Sequence, residues 1–264
     1  MKGTTAMNNQ VKTIEWSKLI DEALTVKGSL GNTYNRFYNY SFMNQIYLWL
    51  QGVNEPVATY KVWQANGRQV NKGEKAKMIV RPTFYKDQNE DGEEEYQLRG
   101  FKPVNCIFTY SQTTGEELPP VEVEKWHIAT ACENLNIEEV SFTSMNGNTA
   151  GYSFDRKYAI NPMAKYPLKT TMHELAHIVL GHTDKEHIHE YKTHRGIKEF
   201  QAEATAYLVM KELEMLEHAN ASESRAYIQH WLQNEKPEDK AIKQVFKAVN
   251  DILTAGKPNE RKES

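Results

Sequence analysis

Apolar residues follow a helical spacing near the start of the chain and an alternating spacing farther on. Residues 14–26 and 41–51 place apolar side chains three and four positions apart, which predicts two amphipathic helices. The apolar run 78–80 and the alternating positions 104–110 are typical of β-strands. The acidic segment 87–95 between these runs predicts a solvated hairpin loop.

A second series of elements follows the segment 113–120, whose Gly and Pro residues make it the best linker candidate. Residues 124–134 predict a helix, and aromatic and apolar positions then alternate on both sides of Asp155-Arg156, which predicts a β-hairpin. The remainder of the chain has a helical pattern, and three helices are predicted there: residues 167–181, 197–216 and 237–255.

These elements predict an α+β protein of two domains. Residues 1–118 would form a small α+β domain, and residues 124–264 a mainly helical domain with a short β-sheet. A chain of 264 residues with 39% hydrophobic and 25% charged residues is long and apolar enough for two such cores.

Charge and cysteine content exclude several classes of protein. The net charge of -3 gives no overall basic field, so any contact with nucleic acid must use a local patch. Cys106 and Cys132 do not form a CxxC pair, which argues against a Cys-rich zinc site and a disulfide framework. The N-terminus lacks an apolar signal core, and no run approaches the roughly 20 apolar residues of a membrane span. We therefore expect a soluble protein of a reducing cytoplasm, without a membrane partner.

The most informative motif is HExxH, which runs from His173 to His177 within a predicted helix. Residues four apart project from one face of a helix, so both imidazoles can bind one tetrahedral cation. Glu174 would then lie beside the open coordination position, where a water can be activated. The alternative is a core helix with two hydrogen-bonded histidines, and the rarity of the motif disfavours it.

A zinc site of this kind needs a third protein ligand. His182 lies five residues past His177, about 140° around a helix. The metzincin spacing fails, because Leu180 and Thr183 stand where its Gly and His are required. Farther downstream, the histidines are interpreted as surface residues: His187, His189 and His194.

The next helix offers a better third ligand in Glu199 and Glu203, which are four residues apart. Like charges at this spacing disfavour a solvated helix by about 0.2–0.5 kcal/mol, but a cation beside them can reverse the effect. In the thermolysin-like (gluzincin) plan one Glu binds the metal and an acid one turn later supports a ligand His. Glu199 is then the ligand and Glu203 the partner of His173, although an exchange of the two roles stays open.

Zn2+ at this site would lower the pKa of bound water to about 7. Glu174 would take the proton of that water during attack on a carbonyl and pass it to the leaving amine. The predicted hairpin before the site helix could offer an edge strand for an extended peptide, or it could simply close the domain.

Two resemblances extend this interpretation. The HELAH segment at 173–177 and the sequence EFQAEATAYL at 199–208 resemble the ImmA/IrrE-like metallopeptidase domain. Residues 40–45, 56–80 and 101–112 resemble the single-stranded-DNA-binding domain of ArdC-type antirestriction proteins. The resemblance implies an antirestriction protein of a plasmid, phage or integrative element that protects incoming DNA.

The residues between 57 and 86 support DNA binding on physical grounds, since they contain several Lys and Arg but a single Glu. Cations that follow a phosphate backbone, interleaved with aromatic rings for bases to stack on, are typical of single-strand binding. An exposed basic sheet face over core aromatics is the alternative. The candidate DNA-binding residues are Tyr60, Trp63, Arg68, Lys72, Lys75, Lys77 and Arg81.

The leading hypothesis is therefore a DNA-binding module fused to a zinc-peptidase-type domain, with Zn2+ as cofactor and single-stranded DNA as partner. A restriction enzyme or a repressor could be a protein substrate. One alternative is an ImmA-like regulatory metalloprotease that cleaves a repressor. Another is a DNA-binding protein whose metal site is purely structural.

Overall fold

Three helices stand at the start of the described residues and bury apolar side chains in a common core. The computed structural model describes residues 14–26, 28–88, 94–120, 125–143, 149–184 and 195–258. The first helices are α1 (Trp16–Thr25), α2 (Leu30–Tyr34) and α3 (Phe42–Leu50). The predicted stripe of α1 is buried, with Leu19, Ile20, Ala23 and Leu24 at most 3% exposed. The two helices expected at 14–26 and 41–51 are confirmed, each slightly shorter than predicted.

An antiparallel sheet follows these helices. It contains β1 (Val57–Thr59), β3 (Lys77–Gln88) and β4 (Glu94–Thr109) in the order β1-β4-β3. β3 and β4 pair as far as Gln88 and Glu94, which confirms the hairpin, although most of its predicted loop lies outside the described residues.

Between β1 and β3 the chain forms α4 (Tyr60–Ala65) and β2 (Arg68–Val70). β2 pairs with β5 (Thr113–Gly115), so the start of the predicted linker 113–120 is a strand instead. The linker interpretation was wrong there, because the pairing partner of this Thr- and Gly-containing run lies more than 40 residues earlier in the chain.

The second half begins with α5 (Ile128–Asn134) and a small mixed sheet. Its strands are β6 (Glu138–Glu139), β7 (Gly151–Phe154) and β8 (Lys157–Ile160), in the order β6-β8-β7. β7 and β8 form the predicted hairpin, and Asp155 in its turn has a positive φ of 50°. Within the described part of the chain β7 is an edge strand.

After β8 the described residues form four α-helices: α6 (Pro167–Val179), α7 (Arg195–Glu212), α8 (Ala221–His230) and α9 (Asp239–Ala255). α6 ends just before Gly181, whose φ of 72° suits the predicted C-terminal glycine. α7 ends four residues before the predicted position 216, because Glu214 adopts a left-handed φ of 57° that a helix cannot contain. No helix in the described ranges combines the length and apolar character needed to cross a bilayer.

The two halves share a continuous apolar core, and together they confirm the α+β class. Phe246 of α9 contacts the rings of Trp16 and Phe42, at centroid distances of 6.3 and 6.0 Å. The Lys211 ammonium at the end of α7 donates to the carbonyls of Ala23 and Leu24, at 3.2 and 2.6 Å. The helix that carries the predicted ligand Glu199 is therefore tied at its other end to α1.

Candidate metal centre and nucleic-acid surface

α6 and α7 lie side by side and bring the candidate ligands to one point. Met172, Leu175 and Ala176 fix the orientation of α6, since each is fully buried on the side that faces the core. His173 and His177, four residues apart, both project towards α7. Glu199 lies in the first turns of α7, where its carboxylate faces the two imidazoles.

The three ligand atoms form a triangle of suitable size for a small divalent cation. The Nε2 atoms of His173 and His177 are 3.1 Å apart. The Oε2 atom of Glu199 lies 3.3 Å from the first and 3.7 Å from the second. Tetrahedral zinc with bonds of 2.0–2.1 Å separates its ligands by about 3.4 Å. The residues therefore fit a divalent metal ion without rearrangement.

His173 is supported from behind by Glu203, whose Oε2 lies 3.1 Å from His173 Nδ1. Burial alone would raise the pKa of Glu203, but hydrogen bonds from His173 and Ser224 and the charge of Lys169 lower it to about 2. Burial likewise would lower the pKa of His173, whereas its contacts with Glu199 and Glu203 raise it to about 9. Without metal, His173 is thus expected as the charged imidazolium, with one ring nitrogen facing Glu199 and the other facing Glu203.

His177 has a different support. Its Nδ1 atom lies 3.0 Å from Nδ1 of His182, and Nε2 of His182 lies 3.2 Å from Oε1 of Gln201. All three side chains are at most 6% exposed. Burial, with the neighbouring His177, lowers the pKa of His182 to about 3, so this ring is neutral.

Glu174 faces the small sheet. Its Oε2 accepts a hydrogen bond of 2.6 Å from the Ser153 hydroxyl on the edge strand β7. Glu174 is 8% exposed, and it follows His173 directly along α6. A carboxylate held beside the ligand triangle can accept a proton from a metal-bound water.

The structure therefore brings together the predicted ligands His173, His177 and Glu199, with Glu203 behind His173. His182 lies behind His177, outside the ligand triangle. The other histidines considered from sequence, His187, His189 and His194, lie outside the described residues.

Two predicted DNA-binding residues lie in the interior. Trp63 is fully buried and its indole nitrogen donates to the carbonyl of Phe108 at 2.9 Å. Arg68 is 6% exposed. Its guanidinium donates hydrogen bonds to the side chain and the carbonyl of Thr113, and its Cζ atom lies 3.9 Å from the ring centroid of Tyr110. Arg68 therefore stabilises the β2–β5 ribbon, and Trp63 connects α4 to β4. Both side chains are too deeply buried to contact a ligand in this conformation.

The other predicted residues lie at the surface. Tyr60, 40% exposed, and Lys72 line one open groove of about 620 Å³. Lys75 is exposed and Lys77 half-buried, at the start of β3. Arg81 is exposed farther along β3.

Sequence reasoning missed Lys102, which lies directly opposite Arg81 across the β3–β4 pair. Both are exposed, and like charges at opposed positions disfavour the pair unless an anion lies between them. That Lys102 lies beside Arg81 can be recognised only from the register of the two strands. Three rings on the same hairpin are also exposed: Phe84, Tyr85 and Tyr96.

Sequence reasoning also missed Ser153 and Gln201, which lie at the candidate metal centre. Gln201 lies between Glu199 and Glu203, so its position in the motif was a signal that could have been used. Ser153 gave none, because its contact with Glu174 depends on how β7 packs against α6.

Comparisons with known proteins give information on the family of the N-terminal part and on the fold. A family profile for the N-terminal domain of anti-restriction factor ArdC matches residues 5–113. A comparison with curated proteins finds no match. The chain is similar in structure to the antirestriction ArdC protein from plasmid R388, both metal-free (18% identity, TM-score 0.52) and Mn(II)-bound (17% identity, TM-score 0.52).

The structural similarity extends over 92% of this chain in both comparisons, and over 96% and 98% of the two ArdC chains. At these identities the likeness shows the fold, and the N-terminal profile adds the sequence relationship that the resemblance in residues 40–112 predicted. Residues 5–113 thus match the N-terminal domain of ArdC, and the chain as a whole shares the ArdC fold.

Proposed function

We propose that this protein is an antirestriction protein that binds single-stranded DNA through its N-terminal half and carries a zinc-peptidase-type site in its C-terminal half. The antirestriction role is supported by the ArdC domain profile and by the name of the structurally similar R388 protein. The enzymatic part rests on one observation, the convergence of His173, His177 and Glu199 beside the carboxylate of Glu174.

Two imidazoles and one carboxylate are a donor set that favours zinc among the abundant divalent metals. The structurally similar R388 ArdC protein has been crystallised with Mn(II), a metal that such nitrogen and oxygen donors also accept. We therefore propose Zn2+ as the cofactor and expect Mn2+ to bind more weakly.

A metal with an open position would supply an activated water and polarise a substrate carbonyl. Glu174 would take the proton of that water and deliver it to the leaving amine. The 2.6 Å bond from Ser153 holds the Glu174 carboxylate on the β7 side of the site. Glu203 accepts the Nδ1 proton of His173, so loss of the second proton from Nε2 would leave that lone pair available to a metal.

The substrate we propose is an extended peptide that pairs with the edge of β7. Ser153 faces Glu174, so a chain hydrogen-bonded along β7 passes next to the proposed general base. Tyr152 and Phe154 project from the opposite face of β7, with ring centroids 6.1 Å apart.

Partial exposure of the ligands favours a catalytic over a purely structural metal. The side chains of His173 and Glu199 are 21% and 30% exposed, which leaves an approach for water and substrate. A structural zinc site is typically closed by four protein ligands, whereas three converge here within the described residues.

The proposed DNA surface consists of the exposed members of the predicted set together with Lys102. Tyr60 offers a ring in the groove that Lys72 also lines. Lys75, Arg81 and Lys102 supply further exposed cations on the same half of the molecule. These cations can neutralise phosphates along a strand, and the ring can stack on a base.

Metal content and peptide cleavage test the enzymatic part. We expect the purified protein to bind one Zn2+, and Glu174→Gln to retain the metal while it loses cleavage of a candidate restriction enzyme or repressor. Glu223→Gln, at an exposed site, is the matched control and should cleave normally. A different result would support a purely structural metal: Glu174→Gln would still protect DNA from restriction, whereas His173→Ala would no longer fold.

Gel-shift titration on single- and double-stranded DNA tests the DNA part. We expect tighter binding of the single strand, with an affinity that falls as salt rises. The DNA-binding proposal would be refuted if the protein bound an uncharged polymer as tightly as DNA, or if it did not bind DNA at low salt. Neither result would affect the proposal for the metal site.

A further inference from the structure

His182 lies behind the candidate ligand His177 and belongs to a buried chain of hydrogen bonds. Its Nδ1 atom contacts Nδ1 of His177 at 3.0 Å, and its Nε2 atom contacts Oε1 of Gln201 at 3.2 Å. Gln201 continues the chain to α9, where its Nε2 lies 3.2 Å from the carbonyl of Ala241 and 2.9 Å from Oε1 of Gln244.

The direction of every hydrogen bond in this chain follows from one group that can only accept. The backbone carbonyl of Ala241 requires a donor, so the amide nitrogen of Gln201 must face α9. The Gln201 oxygen then faces His182 and requires a donor there, which places the His182 proton on Nε2.

A neutral imidazole with its proton on Nε2 has a lone pair on Nδ1. Nδ1 of His182 must therefore accept, and Nδ1 of His177 must donate to it. His177 then keeps a lone pair on Nε2, the atom that faces His173 and Glu199. The chain that starts at Ala241 thus selects the tautomer of His177 that can bind a metal.

We infer that His182 is a positioning residue that fixes the tautomer and ring orientation of the ligand His177, with Gln201 fixing His182 in turn. The inference rests on the proposed metal-binding function of the site. It gives the two ligand histidines unlike supports, a carboxylate behind His173 and a neutral imidazole behind His177.

Three substitutions separate the hydrogen bond from simple packing. His182→Leu keeps a similar volume but removes the acceptor. His182→Asn retains an acceptor, because the Asn Oδ1 atom takes the place of Nδ1. His182→Gln is the matched control, since its amide extends towards the place of Nε2 and so towards Gln201 instead of His177.

The first experiment measures Zn2+ affinity by competition with a chromophoric chelator, alongside the thermal midpoint of the metal-free proteins. We expect His182→Leu and His182→Gln to bind Zn2+ about 10–100-fold more weakly. His182→Asn should remain within a few-fold of the parent. Parent-like affinity in His182→Leu, or equal weakening in His182→Asn and His182→Leu, would overturn the inference.

The second experiment needs no metal and separates the inference from the proposed function. Long-range 1H–15N NMR spectra of the metal-free parent should show the Nε2–H tautomer for His182. Gln201→Leu removes the acceptor at Nε2, so His182 should no longer prefer the Nε2–H tautomer. An Nδ1–H tautomer at His182 in the parent would overturn the inference whether or not the protein binds Zn2+. Failure of the parent to bind Zn2+ would instead refute the proposed function.

Discussion

At the proposed metal site, a proton and a metal ion would compete for the same nitrogen of His173, and this competition would make metal affinity depend on pH. In the metal-free protein His173 lies between Glu199 and Glu203, and although burial opposes protonation these contacts raise its pKa to about 9. A metal ion can bind Nε2 only after the proton has left. Binding below pH 9 therefore releases a proton.

The magnitude follows from the distance between the working pH and this pKa. At pH 7 the gap is about two units, so the apparent metal affinity is about 100-fold below its high-pH limit, or about 2.7 kcal/mol. The apparent association constant should rise about tenfold per pH unit up to pH 9 and then level off. A histidine with the ordinary pKa of 6.5 would give a plateau from about pH 7.

Competitive Zn2+ titration at a series of pH values tests this expectation. Calorimetry in two buffers of different ionisation enthalpy would count the released protons directly. Glu203→Gln replaces the charged partner of His173 by a neutral acceptor, so the rise should end at a lower pH. Glu223→Gln, which is exposed on the same helix as Ser224 and directly precedes it, is a charge-matched control and should leave the profile unchanged.

A flat affinity between pH 7 and 9 would refute the reasoning, because it would show that His173 is already unprotonated at pH 7. The same profile in Glu203→Gln and in the parent would show that the carboxylate does not hold the proton. Either result would also remove the support we assign to Glu203.

Three further outcomes are expected from substitutions away from the metal. Lys211→Met removes both bonds to the α1 carbonyls and should lower the free energy of unfolding by about 1 kcal/mol in urea titration, whereas the exposed Lys240→Met should change it by less than about 0.5 kcal/mol. Trp63→Ala should lower it by about 3–5 kcal/mol, and a neutral effect would contradict its fully buried position. Joint replacement of Lys72 and Lys75 by Ala should leave stability unchanged but reduce the salt slope of single-strand binding by about 1.4, and an unaltered slope would exclude them from the DNA surface.

Local pattern was sufficient for most of the elements in the chain. The helical spacing of apolar residues in α1, α3 and α9 and the alternation in β4, β7 and β8 reflect which side of each element is buried, and that information is present within short windows. The strand β5 could not be predicted in this way, because Thr113–Gly115 becomes a strand only through pairing with Arg68–Val70.

Aromatic and basic residues were less informative, because composition does not reveal exposure. Trp63 and Arg68 belong to the same aromatic and basic segment as Tyr60 and Lys72, yet the first two are buried and the last two line an open groove. Lys102 is far from this segment in sequence but opposite Arg81 in the sheet. Strand register and packing decide which of these charges share a surface.

By itself, the sequence placed the two candidate ligands His173 and His177 together, because a spacing of four residues puts both on one helical face whatever surrounds them. It also determined that an acid in the helix carrying Glu199 and Glu203 faces the site. Only the tertiary structure decided that Glu199 contacts both imidazoles while Glu203 lies behind His173, since α6 and α7 cross at an angle and offset that no local pattern encodes. The same packing decided the roles of Ser153 and His182, which reach Glu174 and His177 from β7 and from the turn after α6.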